Sequence, residues 1–171
     1  MRVAAPHADQ TATSLARSAS ALMLASAAIS AYWTAGGTGL LETVGGSIAR
    51  WGRDGGVEVR LALAVIVVLK LVAAWLPIRA VREPHAPTVR RLAWFQAAIL
   101  TAYGGVLMGT GLAIQAGVLH AGADPDWKAL DWHAYLWDPW FLIVGLLVSA
   151  ALRRSVRRTP LATMVTTDDP G

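Results

Sequence analysis

Residues 92–119, LAWFQAAILTAYGGVLMGTGLAIQAGVL, form a run of 28 residues without a formal charge. A helix needs roughly 20 predominantly apolar residues to cross a hydrocarbon core of about 30 Å. Although it contains Gln96 and Gln115, the run is long enough to span that core with some tilt. It therefore predicts a transmembrane helix, and it decides the fold class because three further apolar blocks accompany it in the chain.

Two of those blocks precede it. Residues 18–41 carry no formal charge, and residues 61–78 are interrupted only by Lys70. The first block follows Arg17 and contains small residues, which is also the pattern of a cleaved signal peptide. We favour a retained helix, because the uncharged run continues well past the small-residue sites.

The fourth block, residues 139–152, is only 14 residues long and would cover roughly 21 Å as a helix, which is short of the core. Three interpretations stay open. The helix begins near Trp132 and Pro139 kinks it, or Arg153 and Arg154 snorkel at its end. Alternatively, Asp138 is the N-cap and Pro139 the first helical residue.

The whole chain has 171 residues, 55 % hydrophobic and 15 % charged, whereas an ordinary soluble domain has about 25 % charged residues. We predict an all-α integral membrane bundle of four transmembrane helices. The absence of cysteine excludes thiol nucleophiles and thiolate metal sites. The predicted spans are about 18–41, 61–78, 92–119 and 132–152, in a domain of residues 15–152 between a disordered cytoplasmic tail (1–14) and a basic, then disordered, cytoplasmic tail (153–171).

The basic residues predict the orientation. With the N-terminus inside, the inner segments hold ten arginines and the outer loops hold four basic residues. Cytoplasmic loops carry the excess of Lys and Arg, so we expect an inner-membrane protein with both termini in the cytoplasm. The net charge of +4 does not indicate nucleic-acid binding, because no basic stretch is interleaved with aromatic residues.

Lys70 is the sharpest single feature. It lies nine residues into its predicted helix, about 13 Å deep, where insertion scales assign a lysine a cost of roughly 2.5–3.5 kcal/mol. We therefore expect it to face the interior of the bundle and to find a partner. One interpretation is a structural ion pair or a lysine that reaches water, and the other is a proton or anion site. The candidate partners are Asp138, Glu42, Tyr32 and Tyr103.

Glycine and tryptophan residues predict packing and an aromatic surface. Tyr103-Gly104-Gly105 opens a glycine-rich stretch in which Gly105 and Gly109 form a G-x-x-x-G pattern, typical of close helix packing. A hinge or a gap for a ligand is the alternative. The tryptophans near the outer surface are interface anchors, or some of them form an aromatic lid over the bundle. The lid would consist of Trp33, Trp132, Trp137 and Trp140.

The outer loop between the third and fourth blocks offers possible metal ligands. His120 and His133 flank Asp124, Asp126 and Asp131. Their spacing matches no specific metal motif, so we expect neither a metal nor another cofactor here.

Several motifs together resemble a family known as domain of unknown function 3995. They are Tyr32–Gly37 (YWTAGG), Glu42–Gly46 (ETVGG), Tyr103–Gly105 (YGG) and Leu136–Leu142 (LWDPWFL). The resemblance covers about residues 15–152 and implies four transmembrane helices with no established activity. Lys70 in the second helix, Asp126-Trp127 and Trp132-His133 look like further elements of the family, and Asp138 falls within the last motif.

The leading hypothesis for the function is a non-enzymatic membrane protein. It would bind a small ligand or lipid, or assemble with a second copy or other membrane subunits, in the lipid bilayer. One alternative is a small proton-coupled transporter in which Lys70 and Asp138 titrate. A further alternative is a metal-dependent membrane enzyme subunit that uses His133 and the acidic loop.

Overall fold

The computed structural model describes residues 10–122 and 125–156, which contain helices joined by short loops and no strand. Within these ranges, four helices are long and apolar enough to cross a membrane, which confirms the all-α four-helix bundle. The elements are α1 (Gln10–Thr34), α2 (Leu41–Val44), α3 (Gly46–Asp54), α4 (Val57–Arg82), α5 (Pro87–Gln115), α6 (Trp127–Trp132), a single π-helical turn (His133–Trp137) and α7 (Asp138–Val156).

The long helices extend beyond most of the predicted spans. Residues 10–14 were expected in a disordered tail but belong to α1, and α7 continues to Val156. In contrast, α1 ends at Thr34 and α5 ends at Gln115, so residues 35–41 and 116–119 of the predicted spans lie outside these two helices. Hydropathy locates the apolar part of a helix but not its polar ends. The rest of the two predicted tails, residues 1–9 and 157–171, lies outside the described residues.

The fourth long helix runs without interruption from Trp127 to Val156. Asp126 is its N-cap, because its carboxylate accepts a hydrogen bond of 3.0 Å from the backbone N–H of Ala129. The interpretation of Asp138 as the N-cap is therefore wrong, since Asp138 lies inside this helix. The π turn stands just before Pro139, where proline has no N–H to donate and its ring disfavours a regular helix.

Helices α1 and α7 form the inner pair of the bundle. In α1 and in the Trp127–Val156 helix, 39 % of the most apolar stretch is buried, against 17 % in α4 and in α5. Helix α4 packs mainly on α1, and α5 packs mainly on α7. The buried face of α1 consists largely of alanine and serine residues, which let neighbouring helices approach closely.

Two glycines allow the backbones of α5 and α7 to approach closely. A Cβ on Gly104 would lie 2.5 Å from the carbonyl oxygen of Asp138, and one on Gly145 would lie 2.6 Å from the backbone nitrogen of Thr101. Gly105 has only an ordinary contact, 3.8 Å to a methyl group of Leu142.

The predicted G-x-x-x-G pattern does not mark the interface. In the described part of the chain, nothing lies within 4 Å of a Cβ added to Gly109. Gly104 therefore lies at the close contact between α5 and α7, whereas Gly109 faces away from the other described helices of this chain. Gly145 was not singled out from the sequence.

Candidate functional site

The π turn at the start of α7 brings His133 and Asp138 together. Its widened turn is closed by a hydrogen bond from the backbone N–H of Asp138 to the carbonyl of His133. The side chains then meet, with Nδ1 of His133 at 3.1 Å from Oδ1 of Asp138. Asp138 is 2 % exposed, and no other ionisable side chain among the described residues is buried.

The partners of His133 constrain the protons at this pair. Its second ring nitrogen, Nε2, lies 3.2 Å from the carbonyl oxygen of Val44. A carbonyl only accepts hydrogen bonds, so Nε2 carries a proton in this geometry. The other contact then needs a further proton between Nδ1 and Oδ1, either on the imidazole or on the carboxyl group. Both contacts are satisfied together when one proton is on Nε2 and another lies between Nδ1 and Oδ1.

An open groove of about 380 Å³ reaches this pair. It lies between the end of α5 and the start of the fourth helix, and its lining is mostly apolar. Its volume is within the range of small-molecule sites. Its polar lining includes His133, Asp138 and Asp126. The groove is therefore a mostly apolar recess whose polar residues Asp126, His133 and Asp138 are spread along the fourth helix.

Lys70 lies at the middle of α4 and is bound by α1. Its ammonium group donates to the hydroxyl oxygens of Ser26 and Ser30, both at 2.8 Å, and lies 5.7 Å from the centre of the Phe141 ring. Among the described residues, no carboxylate lies within 4.0 Å of Lys70. The interpretation as an ion pair is wrong, because two serine hydroxyls one helical turn apart supply the acceptors.

None of the four candidate partners binds Lys70. Tyr103 lies edge-on to Phe141, with ring centres 5.7 Å apart, and so stands behind the ring that Lys70 contacts. The hydroxyl of Tyr32 accepts a hydrogen bond of 3.3 Å from the backbone of Gly39. Asp138 pairs with His133 instead.

Glu42 is an exposed residue of α2. Its carboxylate accepts a hydrogen bond of 2.7 Å from Lys128 of α6, and this contact lowers the pKa of Glu42 from its ordinary value. The more distant Arg53 lowers this pKa further. The contact between Glu42 and Lys128 ties the loop before α4 to the start of the fourth helix. Glu42 was predicted as a partner of Lys70 and binds Lys128 instead.

The predicted aromatic lid is smaller than expected. Trp33 and Trp137 meet edge to face with ring centres 6.2 Å apart, and both are buried around Leu41. Trp132 is 38 % exposed, and Trp140 packs deeper, donating to the carbonyl of Leu22 at 3.2 Å. Only Trp33 and Trp137 therefore cover the end of the bundle that carries α2 and α3, which we call the α2–α3 end.

Hydrogen bonds hold both tryptophans of this lid. Trp33 donates to the carbonyl of Gly39 at 2.7 Å, and Trp137 donates to the hydroxyl of Thr43 at 3.1 Å. The loop around α2 is thus attached to α1 and to the π turn. Thr43 and Val44, which the sequence marked only as members of the ETVGG motif, bind Trp137 and His133 respectively.

The predicted acidic loop shows no metal centre in its described part. Residues 10–122 and 125–156 contain no group of three His, Asp or Glu residues placed to hold a metal ion. Asp131 instead accepts a hydrogen bond of 2.8 Å from Gln115. Asp124 lies outside the described residues.

Fold and site define a four-helix bundle with helices fit to span a membrane and a histidine–aspartate pair inside one of them. A family model described as protein of unknown function (DUF3995) matches residues 23–148. The chain therefore belongs to this family, as its motifs indicated. No curated protein and no solved structure matches the chain.

Proposed function

We propose that the protein binds a small amphiphilic molecule in the groove between α5 and the fourth helix. The observation that carries this proposal is the groove of about 380 Å³ whose lining includes the buried Asp138 and its partner His133. A mostly apolar recess with a few polar residues in its lining is the usual form of a small-molecule site.

The acidic residues of the groove favour a ligand with hydrogen-bond donors. Asp138 and Asp126 both line the groove, at different levels of the fourth helix, and carboxylates accept hydrogen bonds without donating them. A protonated amine satisfies such a site better than an alcohol, because a charge-assisted hydrogen bond is about twice as strong. The rest of the lining, including Leu107, Ile114 and Leu130, suits a hydrocarbon tail.

The proposal includes a location. The ten arginines on one side favour an inner-membrane protein with both termini in the cytoplasm and the α2–α3 end outside. The groove would then open at the outer surface, within reach of molecules in the outer leaflet. Binding is non-enzymatic in this proposal, and a partner in the membrane is a second copy or another subunit.

A transporter remains the alternative prediction, but no contact favours it. It requires Lys70 and Asp138 to act together, and the two side chains have separate partners, Ser26 with Ser30 and His133.

Native mass spectrometry tests the proposal. The full chain is extracted in mild detergent, and the masses of retained molecules and the number of copies are measured. The variant Thr110→Trp places an indole in the groove, whereas Val106→Trp places one on an exposed face one turn earlier in α5. We expect a retained small molecule in the wild type and in Val106→Trp but not in Thr110→Trp. Equal occupancy in all three contradicts the proposal.

A further inference from the structure

A second, smaller pocket lies on another side of the α2–α3 end. Its volume is about 80 Å³, and its lining is mostly polar. It is enclosed by the end of α1, by α3 and by the start of α4, through Trp33, Trp51, Arg53 and Arg60. It shares no lining residue with the groove proposed above.

The charge of this pocket is positive. Arg53 and Arg60 both line it, and none of the lining residues whose side chains the structure describes is acidic. Among the side chains that the structure describes, no carboxylate lies within 4.0 Å of either guanidinium group. Glu42 acts on Arg53 only from a distance and is bonded to Lys128. Two arginines that line one small pocket, with no close carboxylate among the described side chains, are a suitable pair of ligands for an anion.

The volume of the pocket limits the size of the anion that it can hold. A volume of about 80 Å³ equals that of two or three water molecules at about 30 Å³ each. This is far below the 300 Å³ or more of a site for a drug-sized molecule. A single tetrahedral oxyanion fits, and guanidinium groups bind phosphate oxygens in a bidentate manner.

The position of the pocket points to the membrane surface. It lies where α1 ends and α4 begins, and Trp51 at its rim is 60 % exposed. Tryptophan is enriched at the level of lipid headgroups. A phosphate group at this level belongs either to a lipid headgroup or to free phosphate from the aqueous side.

We propose that this pocket binds one phosphate group between Arg53 and Arg60. The proposal is independent of the groove and of its ligand. It gives a binding role to the loop between α1 and α4, which contains α2 and α3. The sequence did not reveal this role, because Arg53 and Arg60 are seven residues apart and a glycine pair lies between them.

The experiment uses the full chain in nanodiscs of phosphatidylcholine. In one arm, inorganic phosphate is titrated against chloride at constant ionic strength, and tryptophan fluorescence, to which Trp51 in the pocket contributes, is recorded. In the other arm, phosphatidylglycerol is added, and native mass spectrometry counts the retained molecules. Both arms compare the wild type with Arg53→Gln, Arg60→Gln and the control Lys128→Gln, which removes a cation of the same end outside the pocket.

We expect each arginine variant to weaken binding about tenfold or more, since each removes a charge-assisted hydrogen bond, while Lys128→Gln binds like the wild type. A response to inorganic phosphate identifies a site for the free ion. Retention of phosphatidylglycerol without that response identifies a headgroup site. The proposal is overturned if neither probe binds, or if the arginine variants and the control bind equally.

Discussion

His133 and Asp138 lie five residues apart in one helix, and their side chains are hydrogen-bonded at 3.1 Å. In a regular α-helix, residues five apart point about 140° away from each other. The π turn at His133–Trp137 adds the residue that places them one turn apart. A local departure from α-helical geometry therefore builds the pair, and π turns of this kind are frequent at functional sites.

The first prediction concerns the stability of this pair. His133→Leu leaves the buried Asp138 without its partner and should lower the free energy of unfolding by about 3 kcal/mol. Asp138→Asn keeps the shape and a hydrogen-bond acceptor, so its cost should be about 1 kcal/mol. Unfolding in mixed micelles measures both. The control Asp131→Asn, on the exposed side of the same helix, should change little. A larger loss for Asp138→Asn than for His133→Leu would contradict the geometry.

The second prediction concerns the contact between α5 and α7. Gly104→Ala and Gly145→Ala each force a methyl group against backbone atoms and should cost about 1–3 kcal/mol. Gly109→Ala is the matched control, because it lies in α5 with open space around it. It should leave stability unchanged or raise it, since alanine has the higher helix propensity. Thermal unfolding in detergent ranks the three variants, and equal losses would show that this interface is misplaced.

The third prediction concerns Lys70. If Ser26 and Ser30 hold its ammonium group, the effects of replacing them depend on the lysine. A double-mutant cycle of Lys70→Met with the pair Ser26→Ala and Ser30→Ala should give a coupling energy of about 0.5–1.5 kcal/mol. The same cycle with Ser20→Ala, whose hydroxyl donates to the carbonyls of Ala16 and Ala74, should give none. Additive losses in the first cycle would rule out the contact.

The fourth prediction concerns the pH dependence of Glu42. The contact with Lys128 lowers its pKa below the ordinary 4.5. Because the folded-state pKa is the lower one, the contact stabilises the protein above pH 4.5 and is lost as the pH falls through the lowered value. Carboxyl ¹³C NMR should give a midpoint below 4.5 in the wild type and a return towards 4.5 in Lys128→Gln. Equal midpoints would show that the two groups do not meet.

Much of the fold was predictable because hydropathy and length act locally. An uncharged run such as residues 92–119 has few stable alternatives to a membrane-spanning helix, and the four helices follow from such runs. The start of the fourth helix was not predictable, because it depends on the π turn and on the Asp126 cap, which a hydropathy pattern does not contain.

The identity of the site residues could be predicted from the sequence, but the residues that they contact could not. Lys70, His133 and Asp138 stand out because ionisable groups are rare near apolar runs. Their partners do not stand out. Ser26 and Ser30 are two of several serines in α1, and only their spacing of four residues hints at a shared face. The spacing of Gly105 and Gly109 predicts that they share a face but not which neighbour, if any, that face meets.

The binding of a cationic amphiphile tests the central claim most directly. Dodecylamine and dodecanol share one tail and differ in the head. Their affinities for the protein in phosphatidylcholine nanodiscs therefore distinguish binding at Asp138 in the groove from simple partitioning into lipid. We predict that the wild type binds the amine at least about tenfold more tightly than the alcohol. In Asp138→Asn this preference should disappear, while in Asp131→Asn it should persist. An equal preference in the wild type and in Asp138→Asn would contradict the account.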